Sequence, residues 1–230
     1  MPAVCNDLFV MDDQFFDPAW DHDFTNIHDT TTLMRGTEVY KRPCGWMRFA
    51  LKVLEKYPDG NAWLGNAGYR TYSDPNEWPV TYHGTSLPGA QGIISTYYLT
   101  GSGQAYGRGI YSTPDVKVAE THGYVKTFVS QKNGKTYKVC LQNRINQRVR
   151  QVCARPEYWL VPIPAGTPAE SEKNIVLGAI RPYSLLLKKA KKLPDQSSHL
   201  QLHKIIPKML SQSTHSVQSF ISCVNVRALC

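Results

Sequence analysis

The alternation of apolar and polar positions along the chain predicts a domain built mainly from short strands. Residues 38–42 alternate and are followed by a proline, which is typical of an edge strand. Residues 158–163 form a strongly apolar run, as expected of a buried strand. Two further strands are predicted at residues 77–83 and 183–187.

Helices are predicted at three places between these strands. Residues 89–95 and 114–126 are short helix candidates, and residues 168–180 form the longest one. The sequence Thr-Pro-Ala-Glu at residues 167–170 has the form of a capping box with proline at the first helical position. The helix is expected to stop before the Arg-Pro pair at residues 181–182.

Residues 46–57 fit two patterns. Their apolar positions suit one face of a helix, and some of them also alternate like a strand. A turn signal at residues 57–61 is followed by a short apolar stretch at residues 62–65. We therefore expect a hairpin in this region.

A second hairpin is indicated directly by its turn. Asn133-Gly134 is a dipeptide that favours the tight turns found between antiparallel strands. It lies between residues 127–129 and residues 137–141, both of which are rich in β-branched and aromatic side chains. These two segments are therefore predicted to pair.

Composition and charge divide the chain into three parts. Of the 230 residues, 42% are hydrophobic and 19% are charged, which is ordinary for a globular protein. Residues 1–30 form an acidic segment rich in aromatic residues, with seven aspartates and no lysine or arginine. Residues 31–190 are predicted to form the globular domain. Residues 191–230 are polar, have weak periodicity and are predicted to be a disordered tail.

The overall net charge of +8 therefore hides a more basic body. The 200 residues after the acidic segment hold 26 basic and 11 acidic residues, a net charge of +15. Such a surface attracts polyanions, including nucleic acid, acidic proteins and the pyrophosphate of a nucleotide.

Several classes of protein are not favoured by the sequence. The six cysteines are scattered without a Cys-x-x-Cys pair, so neither a metal site nor a disulfide framework is expected. No apolar run approaches the 18 or so residues of a membrane span, and no secretory signal is recognisable. We expect an intracellular protein, cytoplasmic or nuclear, that does not enter a membrane. Its oligomeric state is left open.

A glycine-rich loop at residues 101–107 invites a dinucleotide-binding interpretation. Its spacing is Gly-x-Gly-x-x-x-Gly, however, and no strand–loop–helix unit of the Rossmann kind follows it. More specific chemistry lies on either side of the loop. His83 is followed by Gly84, so an imidazole and an unshielded main chain can reach one ligand. Tyr111 follows glycines on a short strand, which suits a flat ligand lying against its ring.

Three segments together resemble a known family. They are Tyr-His-Gly-Thr at residues 82–85, Gly-Arg-Gly-Ile-Tyr-Ser-Thr at residues 107–113 and Glu-Tyr-Trp-Leu-Val at residues 157–161. The pattern resembles the His-Tyr-Glu triad of the diphtheria-toxin-like ADP-ribosyltransferases, which include the poly(ADP-ribose) polymerases. The resemblance covers roughly residues 78–165. It implies an α+β fold in which two small, mainly antiparallel sheets with short helices enclose an NAD cleft.

The resemblance also implies roles for individual residues. His83 would bond an NAD ribose hydroxyl, and the main chain of Gly84 would hold the nicotinamide carboxamide. Tyr111 would stack on the nicotinamide ring, with Tyr124 as a second stacking ring. Glu157 would polarise the nicotinamide-ribose hydroxyl and orient the acceptor.

Four further residues belong to the predicted site. Thr85, Gly109 and Ser112 adjoin the matching motifs and are expected to help bind NAD. The third member of the triad has a second candidate, Gln142, because only 46 residues separate Tyr111 from Glu157. A site with Gln142 in that place would lack the carboxylate.

The expected reaction is transfer of ADP-ribose from NAD to a protein or nucleic-acid acceptor, with release of nicotinamide. Transfer of a single unit is favoured over polymer synthesis, because the compact spacing leaves little room for long acceptor loops. Two alternatives remain. One is a catalytically silent module that binds ADP-ribose or nucleic acid. The other is an enzyme similar to the RNA 2′-phosphotransferases, against which Tyr111 argues.

Overall fold

A computed structural model of the chain describes residues 13–101 and 105–190. The predicted tail at residues 191–230 lies outside the described residues, as do residues 1–12 of the acidic segment. The rest of that segment packs on the domain, since Phe16 and Phe24 are buried.

The described part of the chain is α+β, with few helices and with strands that pair antiparallel in every named ladder. The strands are β1 His22–Asp23, β2 Leu33–Arg35, β3 Glu38–Tyr40, β4 Met47–Ala50, β5 Val80–Gly84, β6 Gly109–Ser112, β7 Lys126–Val129, β8 Thr136–Ile145, β9 Gln151–Val152, β10 Trp159–Pro162 and β11 Ile180–Lys189. The helices are α1 Leu87–Ser95, α2 Val116–Thr121 and α3 Ala169–Ala179, and short 3-10 turns cover Asp13–Phe15, Pro18–Trp20 and Ala62–Leu64.

These strands form three sheets. The largest has the order β1-β4-β11-β8-β5, and β7 pairs with β8 beside this path. A three-stranded sheet has the order β6-β10-β9, and β2 pairs with β3. The long strands β8 and β11 form the centre of the large sheet because they pair along almost their whole length.

The two faces of the large sheet carry different side chains. Leu141 and Leu185 are cross-strand partners and belong to the main hydrophobic core, against which α1 and α3 pack. Cys140 and Leu186 are also partners and belong to a second core on the opposite face. Because successive strand residues face opposite sides, the register assigns every residue of β8 to one of these two faces.

Most of the predicted elements are confirmed. The strands predicted at residues 38–42, 77–83, 158–163 and 183–187 correspond to β3, β5, β10 and β11. All three predicted helices are present, although α2 is shorter than its prediction. The Asn133-Gly134 hairpin is confirmed, since β7 and β8 pair on either side of it.

The hairpin expected after residue 46 is wrong. Its first arm is a strand, but β4 pairs with β1 and β11 rather than with the following segment. The second arm is the 3-10 turn Ala62–Leu64. Its Trp63 side chain enters the core, 5.4 Å from the Tyr57 ring, so apolar burial and not strand pairing holds this segment.

The predicted capping box at residues 167–170 is also wrong. The residue before α3 is Pro168, and no side chain caps this helix. The Thr167 hydroxyl donates instead to the carbonyl oxygen of Pro164, at 2.7 Å. The Thr167 hydroxyl therefore stabilises a local turn before the helix and does not cap the helix.

Candidate active site

An isolated bridge joins the two larger sheets. Tyr82 of β5 and Thr113 exchange main-chain hydrogen bonds of 2.7 and 3.0 Å. One residue further along β5, the side chain of His83 crosses the gap, and its Nδ1 lies 2.8 Å from the carbonyl oxygen of Tyr111. The structure therefore brings His83 and Tyr111 together next to the bridge between the sheets.

This contact determines the protonation of His83. A carbonyl oxygen can only accept, so Nδ1 must carry the proton. Burial lowers the pKa of His83 below its ordinary value of 6.5, although the bond to the Tyr111 carbonyl opposes this. Near neutral pH the ring is therefore neutral, and Nε2 is left as an acceptor.

Tyr98 supports the imidazole from the core. Its ring meets the His83 ring edge-on, with centroids 5.0 Å apart. Tyr98 is almost fully buried, and its hydroxyl donates to Asn143 Oδ1 at 2.6 Å. Tyr98 is not among the predicted site residues, because nothing in its local sequence distinguishes it from an ordinary core residue.

Tyr111 is anchored by its hydroxyl to the end of the glycine-rich loop. The hydroxyl accepts from the main-chain N–H of Tyr106 at 2.8 Å and donates to the carbonyl oxygen of Gly107 at 2.6 Å. On the same strand, a Cβ at Gly109 would collide with the carbonyl oxygen of Val161. Glycine is therefore needed there for close packing of β6 on β10, and Gly109 has a structural role whether or not it contacts a ligand.

Gly84 allows a similar close approach of the main chain, here between β5 and the segment that precedes β7. A Cβ at this position would lie 2.6 Å from both the Tyr124 carbonyl carbon and the Val125 nitrogen. The neighbouring Thr85 carbonyl oxygen accepts from the Lys126 N–H at 3.1 Å. Tyr124 is thus placed beside Gly84, with 48% of its surface exposed.

A chain of rings runs from Tyr111 to Tyr124. We call it the aromatic cluster, and its members are Tyr106, Tyr111, His122, Tyr124 and Tyr158. Centroids lie 6.5 Å apart between Tyr106 and Tyr111, and Tyr158 lies 6.2 Å from both Tyr106 and Tyr124. His122 stacks on Tyr124 at 6.1 Å. Burial and the Tyr124 hydroxyl raise the pKa of Tyr158 to about 12, so its hydroxyl stays protonated.

Glu157 lies at the edge of this cluster, in the turn before β10. Its carboxylate forms an ion pair with Arg155 at 2.7 Å. A hydrogen bond from its own main chain lowers its pKa, and Arg155 and the charge of His122 act in the same direction. Within the described part of the chain, no hydrogen bond or ion pair links Glu157 directly with His83 or Tyr111.

Gln142 is not brought to His83. It faces Tyr82 across the sheet, whereas Leu141 faces His83, so the Gln142 amide lies on the other side. There Nε2 donates to the Tyr40 hydroxyl at 3.0 Å and Oε1 accepts from the Ser184 hydroxyl at 2.8 Å. The amide is fully buried and engaged on both of its atoms.

Ser112 and Thr85 were predicted to help bind NAD, but their side chains have other neighbours. Ser112 follows Tyr111 on β6, so its buried side chain lies on the opposite face, beside Trp159 on the next strand. Thr85 has its side chain against Gly89, in the first turn of α1. Of the predicted site residues, the structure thus groups His83, Gly84, Tyr111 and Tyr124, with Glu157 at the rim.

Residues 13–101 and 105–190 contain no group of three or more His, Cys, Asp or Glu side chains that could hold a metal ion. None of their helices is both long and apolar enough to cross a bilayer.

Comparison of the chain with protein-family models gives no match, and comparisons with curated proteins and with solved structures give no significant one. The geometry of the site is therefore the basis on which its function is inferred.

Proposed function

We propose that this protein transfers a single ADP-ribose unit from NAD to a protein or nucleic-acid acceptor and releases nicotinamide. The observation that carries the proposal is the contact between His83 and the Tyr111 carbonyl. It places an imidazole acceptor, the Gly84 main chain and a fixed tyrosine ring close to one another. An NAD molecule offers a partner for each of these groups.

The ribose would be held by His83. Because Nδ1 is used by the Tyr111 carbonyl, Nε2 would accept a hydrogen bond from a ribose hydroxyl. The Gly84 main chain, unshielded by a side chain, is suited to hold the nicotinamide carboxamide. Both groups lie on or next to a paired strand, so little freedom is lost when a ligand binds.

The nicotinamide ring would lie against Tyr111 and Tyr124. The hydroxyl of Tyr111 makes two hydrogen bonds that orient its ring before any ligand arrives. Tyr124 stands beside Gly84 and is half exposed, so its ring is accessible from the other side. Offset stacking on such rings contributes about 0.5–1.5 kcal/mol for each pair.

Glu157 would supply the charge needed for the chemical step. The bond between the ribose C1′ and the nicotinamide nitrogen breaks, and the electron pair leaves with nicotinamide. The remaining sugar carries oxocarbenium character until a nucleophilic oxygen or nitrogen of the acceptor attacks C1′ and loses its proton. A carboxylate near the ribose hydroxyls stabilises this state. In the structure described, Arg155 pairs with that carboxylate, so the ion pair must open as NAD binds.

The acceptor is inferred from charge and spacing. The basic body, with a net charge of +15 after residue 30, favours nucleic acid or an acidic protein surface. The compact segment between Tyr111 and Glu157 favours transfer of one unit over polymer synthesis.

Labelled NAD tests the proposal directly. The protein is incubated with mixed protein and nucleic-acid acceptors, and the wild type is compared with His83→Ala and Glu157→Gln. We expect both variants to lose label incorporation, Glu157→Gln by about 100-fold or more. Glu170→Gln is the matched control, because that carboxylate is largely exposed on α3. Label incorporation that persists in both site variants rules the proposal out.

A second candidate, binding of NAD or ADP-ribose without transfer, is favoured by the Arg155–Glu157 ion pair. The Arg155→Gln variant, which frees the Glu157 carboxylate, distinguishes this candidate from transfer. Transfer predicts that nicotinamide release is unchanged or faster in this variant. Saturable NAD binding without nicotinamide release, in the wild type and in Arg155→Gln alike, identifies a binding module.

A further inference from the structure

A cavity of about 380 Å³ lies away from His83, on the opposite face of the large sheet. Arg48 and Arg144 of β4 and β8 contribute to its floor. Arg48 shares its face with Leu186 and Cys140, whereas His83 shares the other face with Leu141. The cavity is therefore a separate feature from the proposed NAD site, and its ligand is inferred independently of that proposal.

The cavity is lined by three arginines, Arg35, Arg48 and Arg144. Arg48 forms no ion pair with any residue of 13–101 or 105–190. Its terminal nitrogen donates to the Trp20 carbonyl oxygen at 2.7 Å, and its buried Nε has no hydrogen-bond partner in the same residues. The Nε of Arg144, a side chain that is almost fully buried, also lacks a partner there.

The lining of the cavity holds more cations than acids. Glu77 is shared by Arg35, Arg70 and Arg144, at distances of 3.5, 2.6 and 3.0 Å. Arg70 is also paired with Asp74 at 2.9 Å, and the charge of Asp21 interacts with that of Arg48. Among the residues that line the cavity, however, Asp17 is the one acid against three arginines. The lining therefore carries an excess of positive charge, which favours an anion.

The pKa of His22 is consistent with this excess of positive charge. It also lines the cavity, and its pKa is lowered by burial first and by the charges of Arg48 and Arg42 next. The imidazole is therefore neutral at neutral pH, and it leaves the arginines as the cationic groups in contact with a ligand.

Aromatic side chains form part of the walls. Trp20, Phe24, Tyr40 and Tyr183 contribute ring surface, and aliphatic residues of 50–54 and the loop at residues 65–68 line other parts of the cavity. Aromatic rings take planar groups by stacking, and arginine binds phosphate through two parallel hydrogen bonds. The volume is at the small end of the range for ligand sites.

We propose that this cavity binds a small ligand made of a planar aromatic ring and a phosphate, of the size of a mononucleotide. The phosphate lies against the guanidinium of Arg48, and the ring lies between the aromatic side chains. The supporting observations are the three arginines against one acid in the lining, the absence of an ion pair to Arg48 within residues 13–101 and 105–190, and the aromatic side chains that line the cavity.

Calorimetric titration of the full-length protein with adenosine 5′-monophosphate tests the inference. We expect saturable binding, with adenosine at least about tenfold weaker because it lacks the charged group. Arg48→Gln is expected to weaken binding of the monophosphate about tenfold or more. Lys52 is an exposed cation shortly after Arg48 in the chain, and Lys52→Gln should change the affinity less than about twofold. His83→Ala should bind as the wild type does, because it alters the other face.

Ala67→Trp provides a second variant that leaves all the arginines in place. Ala67 lies in the loop that walls the cavity, and an indole there should block the ligand by its volume. Thermal unfolding of each variant verifies that it is folded. The inference is overturned if the wild type shows no saturable binding up to millimolar monophosphate. It is equally overturned if Arg48→Gln binds as tightly as the wild type, or if His83→Ala abolishes binding while Arg48→Gln does not.

Discussion

The imidazole Nδ1 of His83 lies 2.8 Å from the main-chain carbonyl oxygen of Tyr111, 28 residues further along the chain. This bond joins the C-terminal end of β5 to β6, the strand that carries the tyrosine. It orients the imidazole, assigns its proton and holds the two sheets at a fixed separation.

The His83 bond predicts a dependence of stability on pH. The pKa of His83 is lower in the folded protein than its ordinary value of 6.5, so the unfolded chain binds the proton more readily. The contribution of His83 is therefore complete above about pH 6.5 and is lost as the pH falls through the folded pKa. The thermal midpoint should fall between pH 7 and pH 5, and less so in His83→Asn, which keeps a donor near Nδ1.

His22 provides the comparison for this measurement. Burial, with Arg48 next, also lowers the pKa of His22, so His22→Asn should remove a separate part of the same pH dependence. The two substitutions should be additive, because the residues lie on different faces of the molecule. A pH dependence in His83→Asn identical to that of the wild type contradicts the assignment.

Gly84→Ala is predicted to damage both stability and ligand binding. The added Cβ meets the main chain of Tyr124 and Val125 at 2.6 Å, so one wall of the site must move. We expect a loss of about 1–3 kcal/mol in the free energy of unfolding, measured with urea, and weaker NAD binding. Gly92→Ala is the control, because no atom lies within 4 Å of its Cβ and it is inside α1. It should be neutral or stabilise by roughly 0.5–1 kcal/mol.

Tyr111→Phe separates the ring of this residue from its hydroxyl. The loss of two hydrogen bonds, to Gly107 and from Tyr106, should cost about 1–2 kcal/mol of stability. The ring remains for stacking, so NAD affinity should change less than about threefold, whereas Tyr111→Ala should weaken it about tenfold. Equal affinities for Phe and Ala at this position would exclude a stacking role.

Glu77→Gln is predicted to be severely destabilising. Glu77 is 1% exposed and pairs with three arginines, of which Arg35 and Arg144 have no other ion pair within residues 13–101 and 105–190, so its loss leaves buried cations unpaired. We expect a loss of about 3–5 kcal/mol in the free energy of unfolding. Glu170→Gln, at an exposed carboxylate on α3 that is 3.7 Å from Lys173, should stay within about 0.5 kcal/mol of the wild type. A similar small effect at Glu77 would show that the arginines find other partners.

Local sequence determined where most helices and strands lie. The apolar run of β10, the Asn133-Gly134 turn and the alternation in β3 each depend on residues that are close in sequence. The spacing of the apolar residues within such an element indicates which of its sides is buried. The same holds for Gly84 and Gly109, whose positions beside His83 and before Tyr111 marked close approaches of the main chain.

Tertiary structure alone decided which of these elements meet. Pairing of β4 with β11 joins segments more than 130 residues apart, and no local pattern encodes that choice. The register of β5 on β8 turned Gln142 away from His83 and left Leu141 opposite it. The sheet separation placed Tyr98, Tyr106 and His122 near the site, although their own sequence surroundings are ordinary. Side chains that come from distant segments share a site only after the sheets have packed, because packing and not spacing sets their distances.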